Sequence, residues 1–137
     1  MKQISCFALL ALIFFAIESC SAEVPDLRGV WTGSWSSYDE GKGYTNLTEN
    51  GSIIFAFQEQ EGRIFAGNLT IKLDNQTLAS EALAGAIGQD NKTLYIAESD
   101  RGYGLGTIIS SNEIELIYLA DGKNASVAID RLYRLEA

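Results

Sequence analysis

With 18 acidic residues and no histidine, the carboxylates are the plausible catalytic groups of this 137-residue chain. Ser-His-Asp and Cys-His nucleophilic sites need an imidazole, and zinc sites are built largely from His and Cys. Both are excluded, because the two cysteines, Cys6 and Cys20, lie at the extreme amino terminus. Glu81 and Glu98 sit inside apolar runs rather than turns, which makes them candidates for a glycoside hydrolase with two acids about 5–10 Å apart. Solvated strand faces account for most such residues, so no catalytic residue is assigned and the expected protein is not an enzyme. Gly102-Tyr-Gly-Leu-Gly106 lacks the Lys-[Ser/Thr] of a phosphate loop and reads as glycines that admit a close neighbour. Asp39-Glu40 and Asp121 lack the alternating ligand spacing of a calcium loop. No metal and no cofactor is expected.

Asparagine carries a different chemistry. Six of the seven asparagines head an Asn-x-Ser/Thr triplet: Asn46, Asn50, Asn68, Asn75, Asn91 and Asn124. Serine and threonine fill 19 of 137 positions, so chance gives about one such triplet among seven asparagines. Shared preference for turns brings Asn, Ser and Thr together, but six of seven exceeds what it supplies. The pattern implies N-glycosylation at several sites, hence export through a eukaryotic secretory pathway or to an archaeal cell surface.

The amino terminus agrees. Lys2 is followed by the eleven-residue apolar stretch Phe7–Ile17, and Cys20 and Ala22 stand at the −3 and −1 positions for cleavage before Glu23. This is the pattern of a removable signal peptide, too short for a spanning helix of about 20 residues. Residues 1–22 are thus read as a signal peptide and 23–137 as one domain, secreted or on the extracellular face of the cell envelope. Membrane attachment is expected only if Cys20 is lipidated, and Glu18 fits that processing box poorly. Loss of residues 1–22 removes Lys2 and Glu18, so the charge stays at −8. Such a chain is a poor partner for nucleic acid, and its core must be stable without a disulfide.

Any site must be positioned by the segment after Asp26, a series of β-branched, aromatic and apolar runs between short turn clusters. The runs are Arg28–Tyr38, Tyr44–Thr48, Ser52–Gln58, Arg63–Leu73, Leu78–Gly88, Thr93–Ser99, Tyr103–Ser110, Glu113–Ala120 and Ala125–Leu135. Strand starts every 8–12 residues or so indicate an all-β barrel or sandwich. The single proline, Pro25, precedes them all, so no central strand is interrupted. The expected fold is a single closed or nearly closed antiparallel up-and-down barrel of about eight to nine strands. The segment 78–88 is alanine-rich enough for a short helix, but Gly85 and Gly88 favour a strand. Alternation sends Phe65, Gly67, Leu69, Ile71 and Leu73 inward and Asn68 outward. On the last strand the same rule groups Arg131 with Val127, Ile129 and Tyr133 as an inward set.

The first run opens Leu27-Arg-Gly-Val-Trp31. A Gly-x-Trp entering strand one of an exported antiparallel barrel resembles the signature of the calycins (lipocalins, avidins and fatty-acid-binding proteins). The resemblance implies a basic residue on the final strand packed over that tryptophan, closing one barrel end. Arg131 is the matching candidate and Arg134 the second, giving Gly29, Trp31 and Arg131 as the closure set. Lipocalins add a disulfide and a carboxy-terminal helix that are missing here. The runs Glu61–Gly67 and Ile87–Tyr95 also resemble small secreted proteins of methanogenic archaea with no assigned function.

Two kinds of function fit. One is a binding barrel holding a small apolar or sugar-like ligand, lined by Trp35, Phe55, Phe57, Phe65 and Tyr118. The other is a structural or interaction glycoprotein of the cell envelope with a solid core. A carboxylate hydrolase comes third and requires two acids to converge inside the barrel.

Overall fold

The computed structural model describes residues 23–46, 51–100 and 102–136. The signal-peptide and Cys20 assignments and Asn50 lie outside the described residues. Nine strands succeed one another: β1 (Gly29–Asp39), β2 (Gly43–Asn46), β3 (Gly51–Glu61), β4 (Ile64–Leu73), β5 (Gln76–Ile87), β6 (Thr93–Glu98), β7 (Tyr103–Ser110), β8 (Glu113–Ala120) and β9 (Ser126–Arg134). All pairings are antiparallel, and β9 returns to pair with β1. Eight strands therefore close into a barrel, with β2 as an extra strand on β1. Among the described residues there is no helix.

Tight turns set this topology. Asp74 and Asn75 both adopt positive φ, 50° and 63°, the geometry of the two-residue hairpin turn whose twist matches the flanking strands. The ambiguous segment 78–88 falls almost wholly within β5. Its glycines have a packing reason, since a Cβ at Gly85 would overlap the Phe65 ring of the neighbouring strand. In the Gly102–Gly106 stretch, a Cβ at Gly106 would likewise meet the Leu116 side chain. Those glycines let large neighbours fill the barrel, as their composition suggested.

The core occupies one half of the barrel. Phe55, Phe57 and Phe65 form a stack of tilted and edge-on rings with centroids 6.0 and 5.1 Å apart. Leu83, Leu94, Ile114, Leu116 and Leu132 are among the residues that pack around it, and Ile53 and Leu69 belong to the same core. On the other half β1 divides its pairing. Gly29–Gly33 bond to β3, whereas Ser36–Asp39 bond to β2 on the same side. Beyond Gly33 the partner of β1 on this side changes from β3 to β2, and β2 pairs with no strand but β1.

Candidate ligand cup and the sealed end

The sealed end is built from both chain ends. Gly29 has φ 130°, a backbone region in which side chains are strained. This turns the chain so that Leu27 and Trp31 are both buried under the barrel floor. The Trp31 indole Nε1 donates to the Leu27 carbonyl at 2.9 Å, so the buried polar atom is satisfied. Gln60 ties the entering segment down: its Oε1 accepts from the Leu27 amide at 2.8 Å, and its Nε2 donates to the Pro25 carbonyl at 2.8 Å. Over the outer face of Trp31 lies the Arg134 guanidinium, 4.3 Å from the ring centroid. It donates to the carbonyls of Arg28 and Asp26, both at 2.6 Å, and to that of Ser111 at 3.1 Å. One cation thus caps three carbonyls and an indole face. Hydrogen bonds from Arg28 hold the Asp26 carboxyl down to about 2.

Arg134 and not Arg131 is the closing residue. Register pairs Trp31 with Arg134 directly, and Ser34 with Arg131. Arg131 points outward with its side chain 62% exposed, paired to Glu115 at 3.2 Å. Val127, Ile129 and Tyr133 share that outer face and are exposed. The inward set is Ala128, Asp130, Leu132 and Arg134. A one-residue change of parity moves every side chain to the other face. Here the apolar-looking set is the outer one, because the inner set carries two charges.

The opposite end holds a cavity of about 230 Å³. Its apolar wall comes from Ile53, Leu69 and Ile71, its aromatic groups are Trp35 and Tyr118, and its acids are Asp39, Glu81, Glu98 and Asp130. Of the five aromatics expected to line a ligand site, Trp35 and Tyr118 line this cavity. Phe55, Phe57 and Phe65 do not, being fully buried in the core. Their hydrophobicity marks them as inward-facing, but inwardness alone does not separate cup from core.

The acids are the part that sequence reasoning underrates. Glu81 and Glu98 stand on the inner faces of β5 and β6, and Asp130 stands on β9 facing Trp35 across the β1–β9 pairing. Burial, reinforced by the charges of Glu81 and Asp130, pushes Glu98 up to about 7. Burial alone pushes Asp130 up to about 7. Among the described residues no three such side chains are grouped closely enough to hold a metal ion. Sequence reasoning misses Asp130 because alternation places it on the face read as outward. Its signal is a charged residue two positions before Leu132, on the same strand face.

Among the described residues, the five sequon asparagines lie on the outer face, at a strand end or in turns. Asn68 faces outward on β4, where its Nδ2 donates to Gln58 Oε1 at 3.0 Å. Asn46 ends β2 and is exposed. Asn75, Asn91 and Asn124 sit in turns with φ of 63°, 55° and 70°, a conformation in which asparagine is enriched.

No family model matches the chain, and no curated protein matches it. Six chains of solved structures are similar. One, described as the structure of a redesigned beta barrel, has 13% sequence identity and a TM-score of 0.53 over 80% of this chain and 92% of that one. At that identity the likeness concerns the fold alone. The chain is a β-barrel.

Proposed function

We propose that this protein is an exported, N-glycosylated, calycin-type barrel that binds a small ligand in its open cup without transforming it. One observation carries the reading: the barrel is sealed at one end by Trp31 and Arg134 and open at the other onto a cavity lined by Trp35 and Tyr118. Small-molecule sites are concave, mainly apolar and furnished with a few polar groups, and an eight-stranded barrel is wide enough for one small ligand. A cation over the first-strand tryptophan is the closure that the calycin resemblance implies, with Arg134 in the role. Export rests on residues 1–22 and on the six sequons. Left-handed turns account for Asn75, Asn91 and Asn124, but they do not call for Thr77 two residues after Asn75.

The test is a fluorescence titration of the secreted chain with the neutral apolar dye N-phenyl-1-naphthylamine. Saturable one-to-one binding that Ala128→Phe abolishes, by filling the cup, supports the reading. Failure of the dye to bind leaves a solid-cored envelope glycoprotein instead. Native-host material should also shift in mobility in several steps on deglycosylation.

The convergence of Glu81, Glu98 and Asp130 on one cavity favours a second reading, a carboxylate hydrolase. An acid held protonated near neutrality beside other carboxylates has the property a general acid needs. Turnover of p-nitrophenyl glycosides that Glu98→Gln eliminates would establish it over binding alone.

A further inference from the structure

We propose that the cup is a site for a small organic cation, an ammonium group carried on an apolar body, received by Asp130, Glu98 and the rings of Trp35 and Tyr118. This rests on the binding reading above and names the charge of what the cup holds.

The β1–β9 register repeats one arrangement with its charge reversed. Trp31 and Trp35 lie four residues apart on the inner face of β1, and their direct partners on β9 are Arg134 and Asp130. At the sealed end the tryptophan has a cation over its ring, supplied by the chain itself. At the open end the tryptophan is paired with an acid instead. Four carboxyl groups line the cup: Asp39 from β1, Glu81 from β5, Glu98 from β6 and Asp130 from β9. Tyr118 from β8 adds a phenol, while β3 and β4 contribute only Ile53, Leu69 and Ile71. No lysine or arginine is among the described residues of the lining; Lys42 belongs to the adjoining groove at the rim.

Asp130 gives the independent sign of a ligand. It is 4% exposed and lines the cavity, and burial is the one cause that raises its pKa. No fully buried side-chain oxygen among the described residues lacks a partner, so this carboxyl, with no hydrogen bond from the described residues, opens onto the cavity. Buried carboxylates are ordinarily paired or hydrogen-bonded, so an ammonium donor would complete this one. A bare metal ion is disfavoured, because among the described residues no three acids are grouped closely enough to chelate it. An anionic ligand would be repelled by the ring of carboxylates. An organic cation suits both halves of the site, since carboxylates take its N–H donors and the aromatic faces attract its charge.

The charge of the cup also varies with pH. Burial pushes both Glu98 and Asp130 up to about 7, so affinity for a cation should rise through neutrality.

The experiment is calorimetric titration with phenethylamine and its uncharged analogue phenethyl alcohol at pH 8.5 and 5.5. The expected result is at least tenfold tighter binding of the amine at pH 8.5, a smaller preference at pH 5.5, and loss of the preference in Asp130→Asn and in Glu98→Gln. Equal binding of amine and alcohol overturns the proposal while leaving the cup as a neutral ligand site. A preference that survives both substitutions overturns it too, by placing the cation elsewhere. If neither compound binds while N-phenyl-1-naphthylamine does, the cation is wrong and the cup stands. If none of the three binds, the cup reading itself fails and the proposal falls with it.

Discussion

The two ends of the barrel use the same pair of strands and the same residue type to opposite effect. At one end Trp31 is fully buried, its indole N–H bonded to Leu27 and its ring capped by Arg134. At the other, Trp35 is half-buried beside Asp130, with open space in front of it. The difference lies in what surrounds each tryptophan. Around Trp31 the chain folds back through Gly29 and Gln60 brackets it. Around Trp35 the strand β1 has left β3 for β2. The closed end serves stability, the open end serves recognition on the function proposed above, and substitutions should separate the two.

The largest effect should come from Trp31→Ala, at about 3–5 kcal/mol of lost stability, as for other large aromatics removed from a packed core. Trp35→Ala should cost much less, about 1 kcal/mol, because its ring is only partly withdrawn from water. Urea melts of the two variants check this directly, and equal losses would abolish the distinction between the ends. Next comes Arg134→Ala, at about 2 kcal/mol, since three carbonyls lose a charged donor and Trp31 loses its cover. Because Arg134 acts partly through the indole, the Trp31→Ala/Arg134→Ala double mutant should lose less than the sum of the singles. Strict additivity would remove the contact as an energetic unit.

The two ends also differ in how far the sequence reveals them. Strand positions are legible because apolar runs and turn residues alternate sharply, and the outward placement of Asn68 comes from period-2 alternation in β4. The sealed end is legible in its tryptophan, and in its arginine only as the second choice after Arg131. The inner face of β9 is Ala128, Asp130, Leu132 and Arg134, which looks like a solvent face by composition. Its outer face, Val127, Ile129 and Tyr133, looks like a core face. Hydrophobicity sets parity only where the inner face is apolar, and this strand gives its inner positions to the two charges that define the two ends. The cup acids are half legible. Glu81 and Glu98 stand out as acids within strands, but strand pairing alone brings them beside Asp130.

The acids should give the cup an opposite pH response to the rest of the molecule. Burial raises Asp130 to about 7 from an ordinary value near 3.8, so the folded state binds the proton more tightly than the unfolded chain. The wild type therefore loses stability as pH rises from about 4 to 7, and carries the full penalty above 7. Asp130→Asn removes that penalty. It should be neutral at pH 4 and more stable than wild type at pH 8 by about 1–2 kcal/mol, allowing for its coupling to Glu98. Asp26 and Asp90, both held near 2 by hydrogen bonds, act the other way and lose their contribution as pH falls below about 4. Equal stability of Asp130→Asn and wild type at both pH values would show that the buried carboxylate costs nothing, and would weaken the contrast between the ends.

The smallest effect is the sharpest test of the β9 register. Arg131 and Arg134 are three residues apart, both basic and both engaged with a partner, yet they lie on opposite faces of the strand. Arg131 meets Glu115 at 3.2 Å on the outside of the barrel, with most of its side chain in water. Exposed ion pairs of this kind contribute about 0–1 kcal/mol, because water screens the attraction and two long side chains must be ordered to make it. Arg131→Ala should therefore cost no more than about 0.5 kcal/mol, and that small loss should vanish in 1 M salt, where screening acts within about 3 Å. Trp31 fluorescence should be unchanged in this variant and altered in Arg134→Ala, since only Arg134 lies over the indole. A loss from Arg131→Ala equal to that from Arg134→Ala, with a shifted tryptophan spectrum, would mean that β9 presents its other face to the barrel interior.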